Sequence, residues 1–351
     1  MDKNITISIN RFRSGGGMES YTFDLVKYLT AIQHPVKIYA TTFDTQLPLY
    51  QHIKAVEINQ KRIPKKLRPF FFSPQLQKYR QSNEYLVACN PTDYADVFIC
   101  GGTHLGYLKG MQKQGGILDK LIIHRNHTNY KTAKSIMAHS HLMQHELTSL
   151  YGISPEKIHV VHPPADTERF QPANKEQISR LRKQYGFNEK DTVFLFPSTG
   201  HKRKGLDFLA DFFEQTNLPV KLAVAGSPLP RPMKNVIELG FCKNMPELYQ
   251  AADYTIMASQ YEPFGLIGVE SVLSGTRVVL ADNMGCCEVL NNQAGFFFSR
   301  NNPQTLAEYI TQAVILKQNG KHKINNPLQA LNYNPTLSYH INQLCKMLEP
   351  A

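Results

Sequence analysis

No run of apolar residues in this 351-residue chain approaches the ~18 that cross a bilayer as a helix. Met1 to Asn10 alternates like a strand and lacks the charged start and apolar centre of a signal peptide, so a cytoplasmic protein is expected. The six cysteines (Cys89, Cys100, Cys242, Cys286, Cys287, Cys345) include no CxxC pair and no framework spacing, which argues against structural zinc and disulfides and fits reduced thiols. Internal repeats and low-complexity tracts are absent as well. With 42% hydrophobic and 19% charged residues, the composition is that of a folded globular protein rather than a disordered one.

Acidic residues are scarce in one half. Residues 1–163 carry 20 Lys and Arg against 11 Asp and Glu, whereas residues 164–351 carry 19 against 17, so most of the net charge of +11 lies in the first half. Within it, Ile58 to Asn83 holds seven basic residues (Lys61, Arg62, Lys65, Lys66, Arg68, Lys78, Arg80), no acidic one, and the run Phe70, Phe71, Phe72. Basic and aromatic residues so mixed suit anionic lipid headgroups, phosphorylated glycan or nucleic acid. The same segment also reads as a solvated loop whose phenylalanines plug the core.

The length exceeds one ordinary core and predicts two domains of roughly 150 residues. Short β-branched or apolar runs alternate with longer helical patterns, the signature of α/β architecture with parallel sheets. The first half reads as a strand at Ile5 to Ile9, a glycine-rich turn, a helix from about Met18 to Ile32, and strands at Val36 to Thr41, Tyr85 to Cys89, Val97 to Cys100 and Ser135 to Ala138. A strand at Ile158 to His162 runs into a turn with Pro163 and Pro164, which marks the boundary. The second alternation has strands at Val193 to Phe196, Val220 to Ala225, Val236 to Leu239, Tyr254 to Met257 and Val278 to Ala281, with helices from Gly205, near Pro246 to Ala251, and from Leu266. Expected domains are therefore 1–163 and 164–335. Residues 336–351 form a last helix, a candidate to cross back onto the first domain. Two doubly wound sheets facing each other leave a cleft at the carboxyl ends of their strands, where ligands bind.

The strongest local signal is Glu262-Pro263-Phe264-Gly265-Leu266-Ile267-Gly268-Val269-Glu270, directly after a strand. Pro263 and Gly265 turn the chain into a helix whose first N–H groups, at Phe264, Gly265 and Leu266, can hold phosphate. Glu270, one turn in, is placed to accept from a ribose diol, and Glu262 from sugar hydroxyls.

This segment resembles the Glu-x7-Glu motif of the retaining glycosyltransferases of family 4, and the resemblance runs in order along nearly the whole chain. Ser14-Gly15-Gly16-Gly17-Met18-Glu19 is similar to the family's Gly-Gly-x-Glu loop, Val161 to Asp166 with Arg169-Phe170 to its domain-entry turn, and Lys202-Arg203-Lys204-Gly205-Leu206-Asp207 to its Lys-Gly phosphate segment. Ala251-Ala252-Asp253 and Ser274 to Val279 match in spacing too. The chain looks particularly similar to enzymes that add a hexose to the bacterial lipopolysaccharide core.

The resemblance implies a GT-B fold of two Rossmann-like domains. It also implies retaining, metal-independent hexosyl transfer from a UDP-hexose to a lipopolysaccharide, lipooligosaccharide or other membrane-associated glycan. The protein would then sit peripherally at the inner face of the membrane, with no nucleic acid as partner and no cofactor beyond the nucleotide-sugar co-substrate. Lys204, helped by Arg203 or Lys202, would neutralise the departing diphosphate. Gly16 and Gly17 would let the backbone approach a phosphate or the sugar. His104 would orient the sugar, and Phe241 and Cys242, after Gly240, would form the base-binding turn, with Leu248 or Met245 packing on the base. The family's Arg six residues before Lys204 is Ser198 here.

His139, His141 and His145 are discounted as metal ligands because Ser140 reads as a helix N-cap. Asp93 to Asp96 is rejected as a metal-holding acid pair because it precedes rather than follows a strand. Two other readings stand beside the transferase: a nucleotide-sugar epimerase of the same fold, which would consume donor without acceptor, and a non-catalytic membrane or nucleic-acid binding module.

Overall fold

The computed structural model of the chain describes residues 4–65 and 67–349, in two compact units: residues up to 164 with those from 335 onwards, and residues 165 to 334. Lys66, one of the basic surface residues named above, lies outside the described residues.

In the first unit the order is β1 (Asn4–Ser8), α1 (Gly17–Ala31), β2 (Val36–Ala40), β3 (Ile53–Glu57), α2 (Arg68–Gln77), β4 (Glu84–Ala88), β5 (Val97–Cys100), α3 (His104–Gly110), α4 (Ile117–Thr132), β6 (Ser135–Ala138), α5 (His141–Ser149) and β7 (Ile158–Val160). The seven strands lie parallel in the order β3-β2-β1-β4-β5-β6-β7. Most are short apolar runs buried on both faces, as a sheet covered by helices on each side requires.

The second unit continues with α6 (Lys175–Gln184), β8 (Thr192–Ser198), α7 (His201–Lys204), α8 (Leu206–Gln215), β9 (Val220–Gly226), β10 (Val236–Gly240), α9 (Met245–Ala251), β11 (Tyr254–Met257), α10 (Leu266–Leu273), β12 (Arg277–Ala281), β13 (Gly295–Phe298) and α11 (Pro303–Gln318). Its six parallel strands follow β10-β9-β8-β11-β12-β13, the doubly wound dinucleotide-binding order. All seven residues of β8 are buried. Asp253 pins this strand to β11: its Oδ2 accepts from the Val193 amide at 2.7 Å, Arg182 Nη1 at 3.1 Å and Lys317 Nζ at 2.9 Å.

Helix α12 (Leu337–Leu348) returns to the first unit and packs on α1, burying Ile341, Leu344 and Leu348 on one stripe. His340 lies under it: Nδ1 donates to the His162 carbonyl at 2.9 Å, which leaves Nε2 to accept from the Tyr21 hydroxyl at 2.7 Å.

Several elements go beyond the sequence reading, among them the helices α3, α6 and α7, to which it gives no range. Strand β3 is only partly buried and shows no clean alternation; α2 carries Pro74 inside it; α4 has apolar residues turned outward; and β13 and α11 fall between motifs. No helix of the described residues is long and apolar enough to cross a membrane.

Candidate active site

The strand order of the second unit reverses between β8 and β11, and open α/β sheets bind ligands in the crevice beyond the carboxyl ends of such a pair. Two loops leave that point: one from Ser198 into α7, the other from Met257 into α10.

Helix α7 is a single turn of His201, Lys202, Arg203 and Lys204, ended by Gly205 at φ 80°. A Cβ at Gly205 would run into the Ala258 carbonyl, so only glycine lets α7 lie against the second loop. Backbone bonds fasten the two: Gln260 N–H donates to the Arg203 carbonyl at 2.8 Å and Ala258 N–H to the Lys204 carbonyl at 3.3 Å. The basic turn and the Glu262 segment are thus one rigid assembly.

Arg203 Nη1 donates to Glu262 Oε2 at 2.7 Å and to the Tyr261 carbonyl at 2.9 Å, whereas Lys202 is exposed. Of the two candidates to stand in for the missing family arginine, Arg203 is therefore the one tied to the acid. Ser198, at that arginine's position, is buried and hydrogen-bonds His201 Nδ1 at 2.9 Å; His201 Nε2 faces the Ser227 and Pro228 carbonyls at 3.1 and 3.0 Å. Two carbonyls oblige Nε2 to donate, so Nδ1 accepts from the serine, a local replacement in which histidine anchors the turn.

Lys204 Nζ donates to the Pro197 carbonyl at 2.9 Å. Burial pulls its ammonium below the ordinary lysine value, while Glu262 and Glu270 act in the opposite sense. An ammonium has three N–H donors, so a partly desolvated lysine with one carbonyl contact is well suited to an incoming anion. Glu270 is half-buried, and burial pushes its carboxyl up; the Tyr249 hydroxyl, which donates to Oε2 at 3.0 Å, acts against this, as do the charges of Arg169 and Lys204. Tyr249 and Arg169 are partners the sequence reading did not assign to the site. Tyr249 lies on the apolar stripe of α9 and reads as core from sequence; Arg169 sat in the domain-entry motif without a chemical role.

Gly265, at φ 92°, caps α10, and among the described residues the N–H groups of Gly265 and Leu266 meet no backbone carbonyl. The Phe264 side chain is buried and meets Tyr333 edge-on, so its ring belongs to the core. The Glu262 and Phe264 carbonyls accept from Gly285 and Cys286 N–H at 3.0 and 2.7 Å, which supports the loop from below. Phe241 is 76% exposed after β10, and Cys242 is half-buried with Sγ 3.7 Å from the Leu239 carbonyl. Leu248 is fully buried, which removes it as a base contact; Met245 only flanks the core.

In the first unit Gly16, at φ 108°, caps α1, and space is open where a side chain on Gly17 would stand. His104 opens α3, with Nε2 2.8 Å from Asp119 Oδ1. Ser140 caps α5, and no group of three or more His, Cys, Asp or Glu among the described residues is placed to hold a metal ion. In the basic segment Lys61, Arg62 and Lys65 are exposed, while Arg68 turns back to donate to the Ile63 carbonyl at 3.0 Å. Of the phenylalanines, Phe72 is buried and Phe71 is 46% exposed.

Comparison with known proteins agrees with this architecture. The model described as Glycosyltransferase Family 4 matches residues 15–169, and the one described as Glycosyl transferases group 1 matches residues 177–326. A probable transglycosylase of Burkholderia thailandensis is 36% identical over 352 residues, covering 99% of this chain and 97% of its own. A D-inositol 3-phosphate glycosyltransferase of Jonesia denitrificans is 30% identical over 205 residues, 51% of this chain and 48% of its own. Among solved structures, WaaG, a glycosyltransferase involved in lipopolysaccharide biosynthesis, superimposes with a TM-score of 0.81 at 15% identity over 98% of this chain and 99% of its own. Anabaena HepE in complex with UDP-glucose gives 0.74 at 18% identity over 99% of each chain. The chain belongs to the glycosyltransferases, with a family 4 domain in its first half, a group 1 domain in its second, and the GT-B fold.

Proposed function

We propose that the protein transfers a hexose from UDP-hexose, with retention at the anomeric carbon and without a metal ion, to a membrane-associated glycan such as a lipopolysaccharide or lipooligosaccharide core. The observation that carries this reading is the convergence of Lys204, Glu262 and Glu270 at the amino end of α10. The diphosphate lies against the N–H groups of Gly265 and Leu266, with Lys204 and Arg203 countering the charge that grows as the glycosidic bond breaks. Glu270 accepts from the ribose diol and Glu262 from the sugar. Gly16, Gly17 and His104 contact the transferred sugar, Phe241 and Cys242 flank the base, and Lys202 adds long-range positive charge. The donor is supported by HepE, whose structure holds UDP-glucose, and the acceptor by WaaG, which works in lipopolysaccharide biosynthesis.

No carboxylate is assigned as a nucleophile in this mechanism. The acceptor oxygen bonds to the anomeric carbon on the face the diphosphate leaves, and its proton passes to the departing phosphate oxygen. The protein orients the partners and stabilises charge. The basic segment, through the exposed Lys61, Arg62 and Lys65, meets an anionic membrane in this reading, with support from the exposed Leu67 and Phe71 and, on α4, Ile117 and Leu121. Nucleic acid is not a partner in this reading.

Glu262→Ala is expected to lower UDP-hexose-dependent transfer about 100-fold or more with an unchanged circular dichroism spectrum. Wild-type turnover in that variant would refute the assignment. The Burkholderia relative's name favours a second reading, in which the sugar comes from a glycan rather than a nucleotide. Release of UDP in step with product separates the two, and conversion of donor without acceptor would indicate an epimerase.

A further inference from the structure

The residues on either side of His104 are held by hydrogen bonds. Thr103 Oγ1 accepts from Gly106 N–H at 3.0 Å and donates to Glu146 Oε2 at 2.5 Å, while Leu105 N–H donates to the Tyr151 hydroxyl at 3.1 Å. Gly106 has no room for a Cβ, because the Glu146 carboxylate occupies that space. These contacts brace the first turn of α3, and the ring of His104 is oriented by a residue the motif does not contain.

That residue is Asp119, in the first turn of α4. Its Oδ2 accepts from Gly116 N–H at 2.8 Å, and its Oδ1 lies 2.8 Å from His104 Nε2. The Gly116 N–H and then His104 hold the Asp119 carboxyl below its usual range, so the group is ionised and can only accept. Nε2 must donate, and a neutral imidazole with its proton on Nε2 carries its lone pair on Nδ1. Nδ1 has no partner among the described residues, and the side chain is 25% exposed.

We propose that Asp119 is a positioning residue that fixes His104 as the Nε2–H tautomer, so that Nδ1 accepts a hydrogen bond from a hydroxyl of the transferred sugar. This rests on the glycosyltransferase reading and adds the direction of one contact: the sugar must donate to the histidine. A donor sugar deoxygenated at that hydroxyl loses the contact, so the pair also selects among hexoses.

Asp119→Asn tests this with little change of shape. The amide oxygen can keep the Gly116 N–H bond, which turns the amide nitrogen toward His104; it then donates to Nε2 and moves the ring proton to Nδ1. The variant is expected to melt near the wild-type temperature while kcat falls about 10- to 100-fold with a smaller change in KM. Nitrogen-15 spectra of the ring, assigned by loss of the signal in His104→Gln, should exchange protonated and unprotonated positions, a change that loss of a helix cap would not produce. A wild-type ring spectrum in Asp119→Asn overturns the proposal, as does a full exchange of tautomer with wild-type turnover. Since the spectra need no substrate, a normal tautomer exchange in a protein that turns over no nucleotide sugar would instead locate the failure in the glycosyltransferase reading.

Discussion

Glu270 shows what a donor site demands of a single residue. A carboxylate kept from water is poised for hydroxyl donors, yet it weakens the fold before they arrive. Its carboxyl is raised above the unfolded value by burial, so folding favours its protonated form more than the unfolded chain does, and the penalty is fully present only at pH above the folded pKa. Glu270→Gln is therefore expected to raise the melting temperature at pH 8. The gain should shrink as pH falls through the folded pKa toward the ordinary carboxylate value. Binding of UDP-sugar, read by calorimetry, should weaken in the same variant, the trade between stability and function common at binding sites. A lower melting temperature at pH 8 would show that the Tyr249 bond outweighs desolvation. The pair of acids was legible from the nine-residue motif. Tyr249 was not, because a tyrosine on an apolar helical stripe looks the same in sequence whether its hydroxyl is idle or bonded.

At the level of elements, the break between α7 and α8 makes the site. Gly205 takes a left-handed conformation and meets the Ala258 carbonyl where other residues carry a Cβ, so Gly205→Ala carries both backbone strain and a clash with main chain. A loss of about 1–3 kcal/mol is expected in urea unfolding, and donor affinity should fall as α7 is pushed from the Glu262 loop. Wild-type stability would mean that the loop yields, and the rigid assembly described above would fail. The sequence reading places Gly205 at the start of a helix, which is close, but gives Lys202 to Lys204 no element of their own. Four residues are too few for a helical period to register, and the turn forms because the β11 loop supplies backbone partners. Strand β3 and helices α2 and α4 escaped for related reasons: partial burial, an internal proline, and apolar residues facing outward blur the periodic pattern that identifies an element.

For the molecule as a whole, charge and apolar exposure point to one behaviour. Asp93, between β4 and β5, receives Ser73 from α2 at 3.0 Å and Arg125 and Asn129 from α4, both at 2.6 Å, so both helices flank the same loop. The exposed Phe71 and Ile117 thus belong to neighbouring helices of the basic unit. Flotation with anionic liposomes should recover the protein, at about 1 kcal/mol per basic residue near the surface, and should weaken as salt shortens the screening length. Equal recovery with neutral vesicles would count against an electrostatic attachment.

The order of strands and motifs, the α/β class, the uneven charge and the two acids were determined by the sequence itself, because periodicity and local spacing are properties of neighbours along the chain. Which basic side chain meets Glu262, which tyrosine steadies Glu270 and which carboxylate turns His104 were decided only in three dimensions. Those partners are 59, 21 and 15 residues apart, and contacts of that kind exist only once sheets and loops have packed.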